Sequence, residues 1–250
     1  MRIGIAGYGF VGQAHHNVLK DYHEILISDP AKGHYADLKN ADAIIVCVST
    51  PSHQDGTCNI NNVYTVIESA PDVPILIKST ISLEGWRALK SLAPAAQLTF
   101  SPEFLRAETA LEDFKNTKEF LMGGSNTGFW AEILINAMGK IDIEVAEPEE
   151  LILAKYFRNA FLATKVAFFN QIYDLCDKLD VEYSAVAQYT GMDERIGYSH
   201  TFITSERGFG GHCFPKDTSA IVHTGERNGV ELSLIKQAIN YNINIRKDND

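Results

Sequence analysis

Cys213 has the surroundings that point most directly to chemistry, in the run Gly208-Phe209-Gly210-Gly211-His212-Cys213-Phe214-Pro215-Lys216-Asp217. Three glycines ahead of it allow the backbone a close approach to a bound molecule, and Pro215 suits the first position of a following helix. The cysteine therefore falls at a helix mouth, where unpaired N–H groups and nearby Lys216 favour thiolate over thiol. A thiolate so placed is a nucleophile. A free cysteine is more often a small buried hydrophobe, but the glycines, Pro215, Lys216 and Asp217 together favour the reactive use.

Other polar residues fall where they could serve such a nucleophile. Lys155 and Asn159 are four apart in a segment predicted helical from Pro148 to about Leu179, hence on one face, and an ammonium with an amide could hold an oxyanion. A solvated polar stripe is the plainer alternative. Thr80 ends the run Lys78-Ser79-Thr80, and Glu103 lies in Ser101-Pro102-Glu103-Phe104-Leu105-Arg106. Both follow apolar strand-like runs and would line a crevice at the strand ends; as simple residues they would be helix caps or loop positions.

The elements that must carry these groups begin with a short apolar strand, Arg2 to Ala6, which runs into Gly7-Tyr8-Gly9-Phe10-Val11-Gly12 and a helix to Lys20. Gly7 would make the turn, Gly9 would admit a pyrophosphate, and Gly12 would let helix and strand pack closely, with Phe10 and Val11 in the first helical turn. A second strand ends at Asp29, about 20 residues on, where a carboxylate would accept from ribose hydroxyls and favour NAD over NADP. The connection from Ala31 to Asn40 is short and poorly patterned, so any third strand or helix there is reduced or absent. Ala43 to Val48 reads as a buried parallel strand, leading into Ser49-Thr50-Pro51, where Thr50 and Pro51 are either cofactor contacts or a strand stop. Strands at Pro74–Lys78, Leu98–Ser101, Phe120–Gly123 and Asp142–Ala146 alternate with helices such as Ile60–Ala70. That alternation predicts an α/β fold, a Rossmann-like, doubly wound, mostly parallel sheet, in residues 1–147. Residues 148–250 then read as an all-α region: a long helix whose apolar residues from Phe157 to Ile172 are mainly core, a helix near Tyr183–Thr190, two more at Thr218–Asn228 and Glu231–Ile245, and a frayed tail from Arg246.

Composition bounds the function. The 250 residues carry a formal net charge of −10, which argues against a nucleic-acid surface. Cys47, Cys58, Cys176 and Cys213 show no metal-ligand spacing, no secretory signal opens the chain, and no run approaches a bilayer span, so a cytoplasmic protein without a metal or membrane partner is expected.

The set GYGFVG, STP, KST, SPEFLR, KYFRNAFLATKVAFFN, RIG and GFGGHCFPKD, in this order, resembles the UDP-glucose/GDP-mannose dehydrogenase family. The resemblance implies oxidation of the C6 alcohol of a nucleotide sugar to a carboxylate with two NAD per turnover, and the residues after the cysteine favour UDP-glucose over UDP-N-acetyl sugars. It implies that Cys213 forms a thiohemiacetal and then a thioester, that Lys155 and Asn159 stabilise oxyanions, and that Glu103 transfers protons in hydrolysis. It further implies that Asp217 orients water and Lys155, that Thr80 joins the water and cofactor network, and that Lys216 contacts NAD. Phe104, Leu105, Arg106 and Gly210 would join Glu103, Lys155, Asn159 and Cys213 around the substrate. Arg195 would reach a neighbouring subunit's sugar site, in a homodimer built on the long helix. Where the family commonly has a glutamate this chain has Ala107, and the family's C-terminal nucleotide-binding domain is expected to be lacking. An NAD-binding regulatory relative without turnover, and a β-hydroxyacid dehydrogenase relative that uses no cysteine, are the competing expectations.

Overall fold

The computed structural model describes residues 1–51, 53, 57–211 and 213–247. The chain divides into two compact units, Met1–His53 with Cys58–Lys155, and Gln54–Thr57 with Tyr156–Asp250. The division falls inside one long helix. His212 of the cysteine run lies outside the described residues, as do the last three residues of the expected frayed tail. Arg246 and Lys247 do not fray: their backbone amides bond Asn242 and Glu206.

The first unit contains β1 (Arg2–Ala6), α1 (Phe10–Leu19), β2 (Glu24–Asp29), β3 (His34–Tyr35), β4 (Ala43–Val46), α2 (Asn61–Ser69) and β5 (Ile75–Ile77). It continues with α3 (Leu83–Leu92), β6 (Leu98–Phe100), α4 (Ala110–Asn116), β7 (Glu119–Gly124), α5 (Thr127–Met138) and β8 (Asp142–Val145). The strands form one sheet in the order β3-β2-β1-β4-β5-β6-β7-β8. From β2 through β6 every pair is parallel, so the carboxyl ends of β1, β4, β5 and β6 share one edge. The order reverses between β1 and β4, and the glycine turn after β1 sits at that reversal, where open α/β sheets bind ligands.

Continuous apolar runs make these strands because both faces are covered: all residues of β4, β5 and β6 are buried. On one face Ile3, Ala43, Ile45 and Leu76 meet Ala14, Val18 and Leu19 of α1, Phe114 of α4, and Trp130, Ile133 and Leu134 of α5. At roughly 1.5–3 kcal/mol per fully buried large side chain, this layer is what keeps the glycine turn in place. The stretch after β2 is as reduced as its length requires: two 3-10 turns, Pro30–Lys32 and Leu38–Asn40, flank the two-residue β3. Two pairings depart from a parallel sheet, since β3 runs antiparallel to β2 and β7 antiparallel to β6.

The second unit is helical. It comprises the body of α6 (Pro148–Lys178), α7 (Tyr183–Gly191), α8 (Phe214–Arg227) and α9 (Ser233–Ile245). The 31 residues of α6 span roughly 45 Å, with two acids in the first turn facing the helix's positive end. Ala163, Val166 and Ala167 of α6 pack with Phe209 and with Ala238 of α9. The expectation that the α6 aromatics are mainly core holds for Phe169 but not for Phe157, Phe161 and Phe168, which are exposed. The start of α8 also differs, at Phe214 rather than Thr218, because a cysteine cap and Pro215 as second residue carry the helix back by a turn.

Candidate functional site

In the first unit the three glycines of the turn differ in how closely the protein packs on them. A Cβ on Gly12 would lie 2.2 Å from the Gly7 carbonyl oxygen, and Gly7, at φ +88°, would meet the Cys47 carbonyl at 2.6 Å. A Cβ on Gly9 would meet nothing within 4 Å. So Gly7 and Gly12 are required by the protein's own packing, whereas the open face of Gly9 leaves room for a ligand. Gly9 caps α1, whose first turn, including Phe10 and Val11, has no acid and no side-chain cap. Its N–H groups remain available to an anion. The Tyr8 N–H donates to Asp29 Oδ2 at 2.7 Å, which ties the end of β2 to the turn. These features fit a dinucleotide. Gly9→Ala is expected to leave the melting temperature within about 2 °C of wild type and to raise the NAD Kd about tenfold or more by blocking the pyrophosphate; calorimetry and NAD titration read both.

At the same sheet edge, Thr50 Oγ1 donates to the Thr80 carbonyl at 2.6 Å, and Ser79 Oγ to the Val48 carbonyl at 2.7 Å. The loops after β4 and β5 are thereby joined, with Pro51 exposed beside Thr50. The loop after β6 carries Glu103. Lys155, in the second turn of α6, donates to the Glu103 carbonyl at 2.6 Å and to its Oε1 at 2.9 Å, while the Leu105 N–H donates to Oε2. Both side chains are nearly buried, at 4% and 9% exposure. Burial alone would raise the Glu103 carboxyl; the Lys155 ammonium and the Leu105 amide outweigh it and hold it below the usual carboxylate range. Glu103 is therefore an anion bound to a cation. The Phe104 ring lies 5.8 Å from the Lys155 ammonium. Leu105 packs against the core, and Arg106 pairs with Asp113.

Lys78 was not singled out by type or spacing, yet it is buried and donates to Ser101 Oγ at 3.0 Å and to the Pro102 carbonyl at 3.2 Å. It anchors the loop that carries Glu103. The available signal was a lysine at the end of an apolar strand, next to the loop after β6 that covers it. Burial pushes its ammonium down to about 8, against the pull of Glu103. Because this folded value lies below that of an exposed lysine, the charged form weakens folding below pH 8, and that penalty lifts as pH rises towards the exposed value. The stability of wild type relative to Lys78→Met is thus expected to rise, on the order of 3 kcal/mol, between about pH 7.5 and 10.5. Urea unfolding across that range checks it; a flat difference contradicts it.

In the second unit Cys213 is the N-cap of α8, and its thiol makes no capping hydrogen bond to the helix. Asp217 in the first turn is 1% exposed. It accepts from Asn159 Nδ2 at 2.6 Å and pairs with Lys216, while its N–H donates to the Cys213 carbonyl at 2.8 Å. The expected pairing of Lys155 with Asn159 thus resolves into two sets, since Lys155 is engaged by Glu103 and Asn159 by Asp217. Arg195 is exposed and paired with Asp193. Its loop is pinned by Lys165, which sequence spacing also did not reveal and which donates to the Ile196 and Gly197 carbonyls at 2.6 and 3.1 Å. Gly210 packs its open face on the Arg246 guanidinium.

Two sequence models of one family match the chain: the UDP-glucose/GDP-mannose dehydrogenase NAD binding domain over residues 31–141, and the central domain over residues 149–244. A UDP-glucose 6-dehydrogenase of Rickettsia prowazekii is 33% identical over 221 residues, covering 82% of this chain and 50% of that protein. One from Rhizobium meliloti is 34% identical over 236 residues, covering 84% and 53%. The chain thus spans about half the length of the curated relatives it matches. A solved UDP-glucose dehydrogenase from Pyrobaculum islandicum superposes with a TM-score of 0.84 at 25% identity, covering 97% of this chain and 68% of that one. With the NAD-binding and central domains both matched, in family order, the chain belongs to the UDP-glucose/GDP-mannose dehydrogenase family.

Proposed function

We propose that the protein oxidises the C6 alcohol of a nucleotide sugar, UDP-glucose first among them, to the carboxylate, with Cys213 as covalent nucleophile. The observation that carries the reading is Cys213 at the N-cap of α8, with Asp217 and Lys216 in the turn behind it. NAD would be held at the turn of Gly7, Gly9 and Gly12, with Asp29 available to its ribose, and would supply the hydride acceptor for each of two oxidations.

The first oxidation removes the hydroxyl proton and a hydride, leaving an aldehyde. The Cys213 thiolate adds to the aldehyde carbon; a C–S bond forms, and the oxygen takes a proton to give the thiohemiacetal. Loss of that proton and of the second hydride leaves the thioester. Water then adds, the C–S bond breaks, and the electron pair returns to Cys213. Lys155 and Asn159 would each lower the energy of an oxyanion in this sequence. Because Glu103 is held as an anion, it can accept a proton from the attacking water but cannot donate one.

A homodimer is part of the proposal. Phe157, Phe161, Phe168 and Leu175 are exposed on α6 at spacings of four, seven and seven, with exposed Leu179 just past its end, which makes one apolar seam along the helix. Arg195, exposed and on a pinned loop, suits a reach into a partner's sugar site. Among the described residues no helix is long and apolar enough to cross a membrane.

Initial rates of NADH formation with UDP-glucose, GDP-mannose and UDP-N-acetyl sugars test the reading. NADH formation fastest with UDP-glucose is expected. Saturable NAD binding with no NADH from any of them would favour the regulatory reading instead.

A further inference from the structure

We infer that Asn242, on α9, is the positioning residue that sets the backbone leading into Cys213. The inference rests on the reading of Cys213 as the nucleophile. Asn242 is 6% exposed and grips a single residue at both of its backbone groups: the Phe209 N–H donates to Asn242 Oδ1 at 2.6 Å, and Asn242 Nδ2 donates to the Phe209 carbonyl at 2.9 Å. Only a side chain with donor and acceptor side by side can do this, which is what an amide offers. The grip is tight enough that a Cβ on the preceding Gly208 would lie 2.1 Å from Asn242 Oδ1.

The grip passes to the cysteine through packed rings. Phe209 is 4% exposed and sits in the cluster of α6 and α9 side chains that Phe214 also joins. The Phe209 and Phe214 rings meet edge to face at 6.4 Å, and Phe214, the first residue of α8, directly follows Cys213. The same segment is held from α6, where Asn170 Oδ1 accepts from the Gly208 N–H at 3.1 Å. Asn242 is therefore the α9 half of a two-sided clamp on the approach to Cys213. Loss of one half frees the chain on which the cap position of Cys213 depends, and with it the placing of the residue at the positive end of α8 that favours thiolate.

Two variants test this. Asn242→Asp keeps the acceptor and turns an anionic oxygen towards the Phe209 carbonyl; Gly208→Ala displaces the amide from the loop side. The readout is the iodoacetamide alkylation rate of each cysteine by peptide mapping, beside kcat and the NAD Kd. Both variants are expected to slow alkylation of Cys213 and lower kcat, each by about tenfold or more, with the NAD Kd unchanged and the buried Cys58 and Cys176 still protected. If Cys213 reacts within twofold of wild type, or all four cysteines become reactive together through general loosening, the positioning role is wrong. The nucleophile reading fails separately: wild-type Cys213 would then react no faster than Cys47, while a variant-specific change in its rate would still support the clamp.

Discussion

Cys213→Ser is expected to stop the proposed oxidation, lowering NADH formation about a thousandfold or more, without weakening the fold. A serine hydroxyl is not ionised near neutral pH and has no helix-stabilised anion to offer the aldehyde. The position makes the experiment clean. Cys213 is the N-cap of α8 with helical φ and ψ of −91° and −58°, and its thiol makes no cap bond, so the near-isosteric serine is expected to change stability by less than about 0.5 kcal/mol. Loss of activity with an unchanged melting temperature is the expected pair of results. Activity within tenfold of wild type would exclude thioester chemistry and return the β-hydroxyacid dehydrogenase expectation to consideration.

The second large effect comes from the Lys155–Glu103 pair. Lys155→Met leaves a carboxylate at 9% exposure with no cation at its Oε1, which is expected to cost about 3–5 kcal/mol of stability and to lower kcat roughly a hundredfold to a thousandfold through the lost oxyanion partner. The pH dependence changes sign. In wild type the Glu103 carboxyl is held below the usual range, so its stabilisation is present above the unfolded value and is lost as pH falls through the folded one. In the variant, burial without the ammonium raises that carboxyl, so stability improves as pH falls and the group is protonated. Adding Glu103→Gln should recover most of the stability and none of the activity. Denaturant midpoints at about pH 4 and 7 for the three proteins separate these effects, and a Lys155→Met protein as stable as wild type at neutral pH would show that the pair is not what holds the loop.

Much of this was legible in the residues. The glycine spacing at Gly7, Gly9 and Gly12 encodes different backbone demands: Gly7 makes the turn and Gly12 the close packing expected of them, and Gly9 is left open. The runs at β4, β5 and β6 could only be buried strands. Other features lie beyond local sequence. A strand such as β7 reads the same in either direction, so its antiparallel pairing with β6 is decided by tertiary packing. Helical spacing put Lys155 and Asn159 on one face but could not say that Glu103 would take the first and Asp217 the second, since those partners lie 52 and 58 residues away along the chain. Lys78 was hidden for a related reason, because a lysine is usually exposed and its burial depends on the loop after β6. The α6 aromatics Phe157, Phe161 and Phe168 were misread because an exposed apolar stripe and a core stripe have the same composition.

The most direct test counts NADH formed per UDP-glucose consumed at excess NAD. Two per sugar, with UDP-glucuronate as the product, is the predicted result and requires oxidation through alcohol and aldehyde to acid. One per sugar with a released aldehyde, or none with NAD still binding, would contradict the proposed four-electron oxidation.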